Sequence, residues 1–151
     1  MSVATVQKTI TAEEFLRLVD NGMTDFTGPE YRGVRVVGEV RFGSRVIESV
    51  FCFGTLLFES TIYFGSATFK AEVFFRFATF KSDVFFYFAT FKAGLFLDVV
   101  TFKNSVYFDS ATFECVVVCL NHPAIAWALS MQKQGIIVNY QHAPSFLAIG
   151  K

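Results

Sequence analysis

Written in rows of eleven from Val34, the chain aligns with itself. The rows read VRVVGEVRFGS, RVIESVFCFGT, LLFESTIYFGS, ATFKAEVFFRF, ATFKSDVFFYF, ATFKAGLFLDV, VTFKNSVYFDS and then ATFECVVVC. A unit this short cannot bury an apolar face alone and must stack on its neighbours. Each row carries two apolar-x-apolar triplets, at row positions 1–3 and 7–9. The third members form a ladder: Val36, Phe42, Ile47, Phe53, Phe58, Phe64, Phe69, Phe75, Phe80, Phe86, Phe91, Leu97, Phe102, Phe108, Phe113 and Cys119, with Phe26 and Tyr31 extending it upstream. Thirteen of the 21 phenylalanines fall on this ladder, so the repeat accounts for most of the Phe excess.

The first members are smaller or aliphatic, as at Ala67, Val73, Ala78, Val84, Ala89, Leu95, Val100, Val106 and Ala111. A triplet with both ends apolar is a short strand whose ends point inward and whose middle points outward. Ladder spacing alternates five and six residues, which leaves no room for helices between strands. Gly43-Ser44 and Gly65-Ser66 supply tight corners. Short strands that turn this often predict a solenoid. An up-and-down sheet would need longer alternation and hairpin signals, and the one Asn-Gly, Asn21-Gly22, precedes the repeat.

Ala-x-Phe triplets at this spacing resemble the pentapeptide-repeat proteins over about residues 25–119. The resemblance implies a right-handed quadrilateral β-helix that buries Leu or Phe and a small residue on every face. This chain is similar to a Phe-rich variant in which the five-residue period becomes five and six. Thr68, Phe74, Thr79, Phe85, Thr90, Phe96, Thr101 and Tyr107 stand where the family favours Asp or Asn, while Asp25 and Glu30 keep an acidic residue. The resemblance also implies a second function, inhibition or protection of a DNA topoisomerase (gyrase) by DNA mimicry.

Four faces per coil give about 22 residues per coil, so identical positions two rows apart should stack. The outward mid-strand residues then form four columns. One reads Arg41, Tyr63, Phe85, Tyr107, and its opposite reads Glu30, Cys52, Phe74, Phe96, Val118. The others read Asp25, Val46, Thr68, Thr90, Thr112 and Arg35, Leu57, Thr79, Thr101.

Both flanks read as seals, which makes one domain of three parts: residues 1–22, 23–119 and 120–151. Thr11-Ala-Glu-Glu14 is a capping box with Ile10 and Phe15 placed as a hydrophobic staple. It predicts a helix over Ala12 to Asp20, with Phe15, Leu16, Leu18 and Val19 on its apolar side and a stop at Asn21-Gly22. His122-Pro123 opens a second predicted helix over residues 123–134, and residues 136–138 follow as a last strand.

Thirteen basic and thirteen acidic residues cancel, which argues against nucleic-acid binding and against the charge of an acidic DNA mimic. Lys70, Lys81, Lys92 and Lys103 recur every eleven residues and so alternate between opposite sides, with Glu72, Asp83, Asp98 and Asp109 nearby as a charge-balanced rim. Cys115, Cys119, His122 and His142 are residue types that bind zinc, but Cys119 occupies an inward ladder position, and no metal or cofactor is expected. No acid–base set or phosphate-binding glycine loop identifies a catalytic residue or a small-molecule substrate. Three cysteines without dense spacing suit a reducing compartment. MSVATVQKTI lacks the apolar stretch of a secretory signal, and the uncharged stretch over residues 115–132 is broken by Asn121-His122-Pro123, so a cytoplasmic chain without a membrane span is expected.

The expected function is therefore that of a non-enzymatic interaction module whose partner is a protein, including a second copy of itself in a homodimer. The expected contact residues are Phe74, Phe77, Phe96 and Val118 on one side and Tyr63, Phe85 and Tyr107 on the other, with the corner residue Phe88 adding apolar surface.

Overall fold

A computed structural model describes residues 8–108 and 110–118 of the chain. In that region the triplets form strands of two or three residues, and each pairs in parallel with the strand one coil away. Thr79 faces Leu57 and Thr101, and Phe85 faces Tyr63 and Tyr107, so the coil is 22 residues as the row spacing requires. The result is a four-sided β-helix of the pentapeptide-repeat type.

Following the chain round one coil defines the four sides. The first threonine face holds Thr9–Thr11, Arg35–Val37, Leu57–Phe58, Thr79–Phe80 and Thr101–Phe102. The tyrosine face comes next, with Val40–Arg41, Ile62–Tyr63, Val84–Phe85 and Val106–Tyr107. The second threonine face holds Val46–Ile47, Thr68–Phe69, Thr90–Phe91 and Thr112–Phe113. The phenylalanine face closes the coil with Phe51–Cys52, Val73–Phe74, Gly94–Phe96 and Val116–Val118. Tyrosine and phenylalanine faces are thus opposite sides of the shaft.

The ladder points inward. Phe42, Phe53, Phe58, Phe64, Phe69, Phe75, Phe80, Phe86, Phe91, Phe108 and Phe113 are all buried, and Phe102 is half-buried. Parallel stacking sets like on like, so the rings form columns. Phe69 and Phe91 lie 5.2 Å apart at 2°, and Phe86 and Phe108 lie 5.1 Å apart at 2°. Opposite columns meet edge to face across the axis, as at Phe64 and Phe75 (5.6 Å, 89°), and neighbouring columns also meet edge-on, as at Phe86 and Phe91 (5.7 Å, 64°). On the second threonine face the inward partner of each ring from Phe69 onward is Ala67, Ala89 or Ala111, which leaves room for that edge contact. Between coils the backbone is satisfied by bonds such as Thr79 N–H to the Leu56 carbonyl (3.0 Å) and Lys81 N–H to the Phe58 carbonyl (2.9 Å).

Helix α1 (Ala12–Asp20) seals the N-terminal end as its capping box predicts. The Glu14 amide donates to Thr11 Oγ1 at 3.0 Å, satisfying one orphan N–H of the first turn. Phe15 is fully buried and closes the shaft, with its ring 5.2 Å from Phe26 and 5.3 Å from Phe58. Arg45 grips Asp20 with two bonds, Nε to Oδ1 at 2.6 Å and a second nitrogen to Oδ2 at 2.9 Å, tying the end of α1 to the second threonine face.

Three sequence expectations need correction here. Asp25 bridges Cys52, so it begins the phenylalanine column and not the column of Thr68 and Thr90. Glu30 does not stack on Cys52; it lies in a short 3-10 turn, Pro29–Tyr31, and Tyr31 is half-buried against Phe26 (5.1 Å, 74°) without entering the ladder. Pro29 cannot continue a strand ladder, and the extra residues of this turn lengthen the opening coil. The first side of that coil is supplied by Thr9–Thr11, paired with Arg35–Val37. On the rim, Lys70 pairs with Glu48 (3.4 Å), Lys81 with Glu59 (3.7 Å) and Lys92 with Glu114 (3.6 Å), each with the corner residue one coil away. The predicted second helix, the strand at 136–138 and the last ladder position, Cys119, lie outside the described residues.

Two outcomes follow. Replacing Phe80 or Phe91 with Ala breaks a continuous ring column and is expected to cost about 3–5 kcal/mol in denaturant unfolding, whereas Thr79→Ala or Thr90→Ala, outside the shaft, should cost under about 1 kcal/mol. Comparable losses at both kinds of site would contradict the inward phase. The Arg45 guanidinium holds the Asp20 carboxyl below its ordinary value of 3.8, so this pair stabilises the fold above that value and ceases to as pH falls through the lowered one. The gap between wild type and Asp20→Asn, about 0.2–1 kcal/mol for an exposed pair, should therefore close as pH falls from about 5 through the lowered value.

Candidate functional surface

Strand alternation leaves the middle residue of each triplet outside. On the phenylalanine face these are Cys52, Phe74, Phe96 and Val118, in register and all half-buried. Phe74 and Phe96 stack 4.5 Å apart at 9°. The Phe96 ring lies over Gly94, where an added Cβ would come within 2.9 Å of ring atom Cε2. Rows 67–77 and 78–88 have Glu72 and Asp83 at that position, so this one glycine lets the outer ring fold flat on its own strand.

Phe77 stands at the corner between the phenylalanine face and the first threonine face. Beside it opens a groove of about 270 Å³ lined by Thr27, Cys52, Gly54, Phe74, Arg76 and Phe77. Gly54 (φ +61°) forms part of its wall, because a Cβ there would lie 2.4 Å from the Phe26 carbonyl oxygen. Arg76 marks the rim. Its Nε donates to Asp98 Oδ2 at 2.9 Å, and its guanidinium carbon lies 5.9 Å from the centre of the Phe77 ring. Asp98 is buried, and its Oδ1 has no hydrogen-bond partner among the described residues.

The tyrosine face carries the opposite strip. Tyr63 and Phe85 stack at 5.0 Å and 8°, Phe85 and Tyr107 at 4.6 Å and 7°, and the Arg41 guanidinium covers Tyr63 at 4.0 Å. Tyr87, at the corner, places its ring 5.1 Å from Phe85. Phe88 follows it at the corner between the tyrosine face and the second threonine face.

The corners hold a feature that triplet spacing could not show. Two-residue corners early in the shaft place Gly43 (φ +58°) and Gly54 (φ +61°) in the left-handed region. Later corners place the next residue there instead: Ser66 (φ +69°), Phe77 (+71°), Phe88 (+60°), Val99 (+56°) and Ser110 (+58°). Gly65 is thus not the residue that uses glycine's freedom. For a bulky or β-branched residue this conformation costs about 1–2 kcal/mol. Yet Phe77 is 57% exposed, Phe88 66% and Val99 43%, so burial does little to offset that cost. The sequence sign was the last row position, where Ser44, Thr55 and Ser66 give way to Phe77, Phe88 and Val99.

The thiols are poorly suited to chemistry. Desolvation, with Asp25 nearby, pushes the Cys52 thiol up, and desolvation with Glu114 pushes Cys115 up to about 11. Among the described residues no three His, Cys, Asp or Glu side chains converge as a metal site; Cys119, His122 and His142 lie outside them. Among the described residues no helix is long and apolar enough to cross a membrane. The expected contact residues fall into two groups: Phe74, Phe77, Phe96 and Val118 on one side, Tyr63, Phe85 and Tyr107 on the other. Sequence reasoning missed Thr27, Gly54, Arg76, Gly94 and Val99. Compared with family models, curated proteins and solved structures, the chain finds no match.

If the large corner side chains are retained against backbone preference, replacing them with a residue that tolerates the left-handed region should stabilise the fold. Phe88→Asn and Val99→Asn are expected to gain about 0.5–1 kcal/mol in urea unfolding. A loss at both positions would show that these side chains stabilise the shaft.

Proposed function

We propose that the chain is a non-enzymatic β-helical interaction module, a Phe-rich member of the pentapeptide-repeat family, that self-associates through an exposed aromatic face. The observation that carries this reading is the phenylalanine face with its corner: a stacked outer pair, Phe74 and Phe96, beside a groove whose wall is a strained and exposed Phe77. Strained backbone held at an exposed apolar side chain points to use, because neither folding nor solubility favours it.

Area decides how much surface is needed. Four coils at about 4.8 Å make a face roughly 20 Å tall, too small alone for the about 800 Å² that each partner buries in a stable interface. The corner residues Phe77 and Val99 and the groove extend it. Burial pushes the Cys52 and Cys115 thiols up, which argues against either as a thiolate nucleophile, and free thiols suit a cytoplasmic setting. Gyrase inhibition by DNA mimicry draws less support, since Lys70, Lys81 and Lys92 are paired with acids and the charge is balanced.

Light scattering coupled to gel filtration at tens of micromolar tests the reading. Wild type should exceed one chain in mass, Phe74→Glu with Phe96→Glu should give a folded monomer, and Tyr63→Glu with Tyr107→Glu should still assemble. A monomeric wild type would refute self-association.

A further inference from the structure

We propose that assembly is heterologous: the Phe88 side chain of one copy seats in the groove lined by Cys52, Phe74 and Phe77 of the next, so that shafts join side by side in an open line. This rests on the self-association reading above and names the surface that meets the groove.

The eleven-residue row is half of a coil, so consecutive rows lie on opposite halves of the shaft. Row 67–77 (ATFKAEVFFRF) ends at the corner between the phenylalanine and first threonine faces, and row 78–88 (ATFKSDVFFYF) ends at the diagonally opposite corner. Their heights differ by about half the 4.8 Å coil rise. Each corner ends in an exposed phenylalanine held in the left-handed region, Phe77 at one and Phe88 at the other. The rows differ at three positions, Ala71 against Ser82, Glu72 against Asp83 and Arg76 against Tyr87. Two of these are conservative. The third sets a cation beside the groove and an aromatic ring beside Phe88.

That difference is complementary. A guanidinium bonded through its edge to a carboxylate keeps its flat face free to cover an aromatic ring. The molecule already uses this contact where Arg41 covers Tyr63 at 4.0 Å. With Phe88 seated in the groove, Arg76 of the receiving copy lies beside Tyr87 of the donor. Size agrees as well: an apolar cavity of about 150 Å³ holds benzene, and this groove offers about 270 Å³ against a phenyl ring. Phe88 is the most exposed large apolar side chain among the described residues, which makes it the available knob.

Knob and groove point in opposite directions from the shaft axis. Copies joined this way are related by near-translation, so the contact cannot close into a pair. A seated Phe buries about 150–250 Å², far below a stable interface, so each joint is weak and assembly grows with concentration.

The test uses the full chain, wild type and two variants, by light scattering across a hundredfold concentration range. Phe88→Asn removes the knob at a position whose backbone suits Asn; Phe74→Glu with Phe96→Glu places charge at the groove. Wild-type mean mass should keep rising past two chains, and each variant alone should stay at one chain. An equimolar mixture of the two has one working knob and one working groove, and should stop at two chains. Iodoacetamide labelling of Cys52, read by peptide mass spectrometry, should slow at least threefold in concentrated wild type and not in Phe88→Asn. Urea unfolding confirms that each variant is folded. Assembly that survives in Phe88→Asn, or a wild type that saturates at two chains, would overturn the heterologous joint while leaving self-association standing. A monomeric wild type would remove both.

Discussion

The fold depends on parallel pairing at a fixed 22-residue step, which sets every side chain against its own kind one coil away. The step fixes the ring spacing. Coils rise by about 4.8 Å, so stacked phenylalanines sit at centroid distances such as 5.1 Å for Phe58 and Phe80, offset instead of face on. Flat rings tolerate that spacing in long columns, and the four inner columns meet edge to face at the axis. The second inward position of each triplet is less uniform: Ala67, Ala89 and Ala111 fill it on the second threonine face, whereas Ile62, Val84, Val73 and Leu95 fill it on the tyrosine and phenylalanine faces.

Inside the shaft, residue type and position are one statement. A two-residue side-chain period fixed by hydrogen bonding makes the inward and outward sets readable from spacing alone, and α1 was readable because the Thr11 hydroxyl locally accepts the Glu14 amide. Reading failed where covalent length and backbone torsion decide. Gly28-Pro29 diverts the opening coil, which moved Asp25 by one face and took Glu30 and Tyr31 out of the ladder. The corners share one sequence length but two torsion patterns, so Gly65 and Ser66 exchange the roles that spacing assigned them. Gly94 could not be valued without seeing the Phe96 ring on top of it.

The candidate surface was half legible for the same reason. Phe74, Phe96, Tyr63, Phe85 and Tyr107 were fixed as outward by the strand period, whereas the groove depends on where Thr27 and Gly54 bring the irregular first coil against the regular second one. The most informative surface thus lies where the repeat begins and its rules are not yet in force. Further along, the corners carry large side chains in a conformation that suits glycine, so backbone strain and exposed apolar surface fall on the same residues.

The half-coil row also governs how such a chain can change length. Loss or gain of 22 residues removes or adds one coil and leaves every downstream residue on its own side. Loss of one eleven-residue row keeps the ladder inward and the core continuous, but turns everything beyond it through half a revolution. Phenylalanine and tyrosine columns would then be spliced into each other, and corners such as those of Phe77 and Phe88 would exchange sides. A duplication that is silent for folding can therefore rewire the outside of the molecule, and the row is a unit of surface exchange nested inside the coil, the unit of growth.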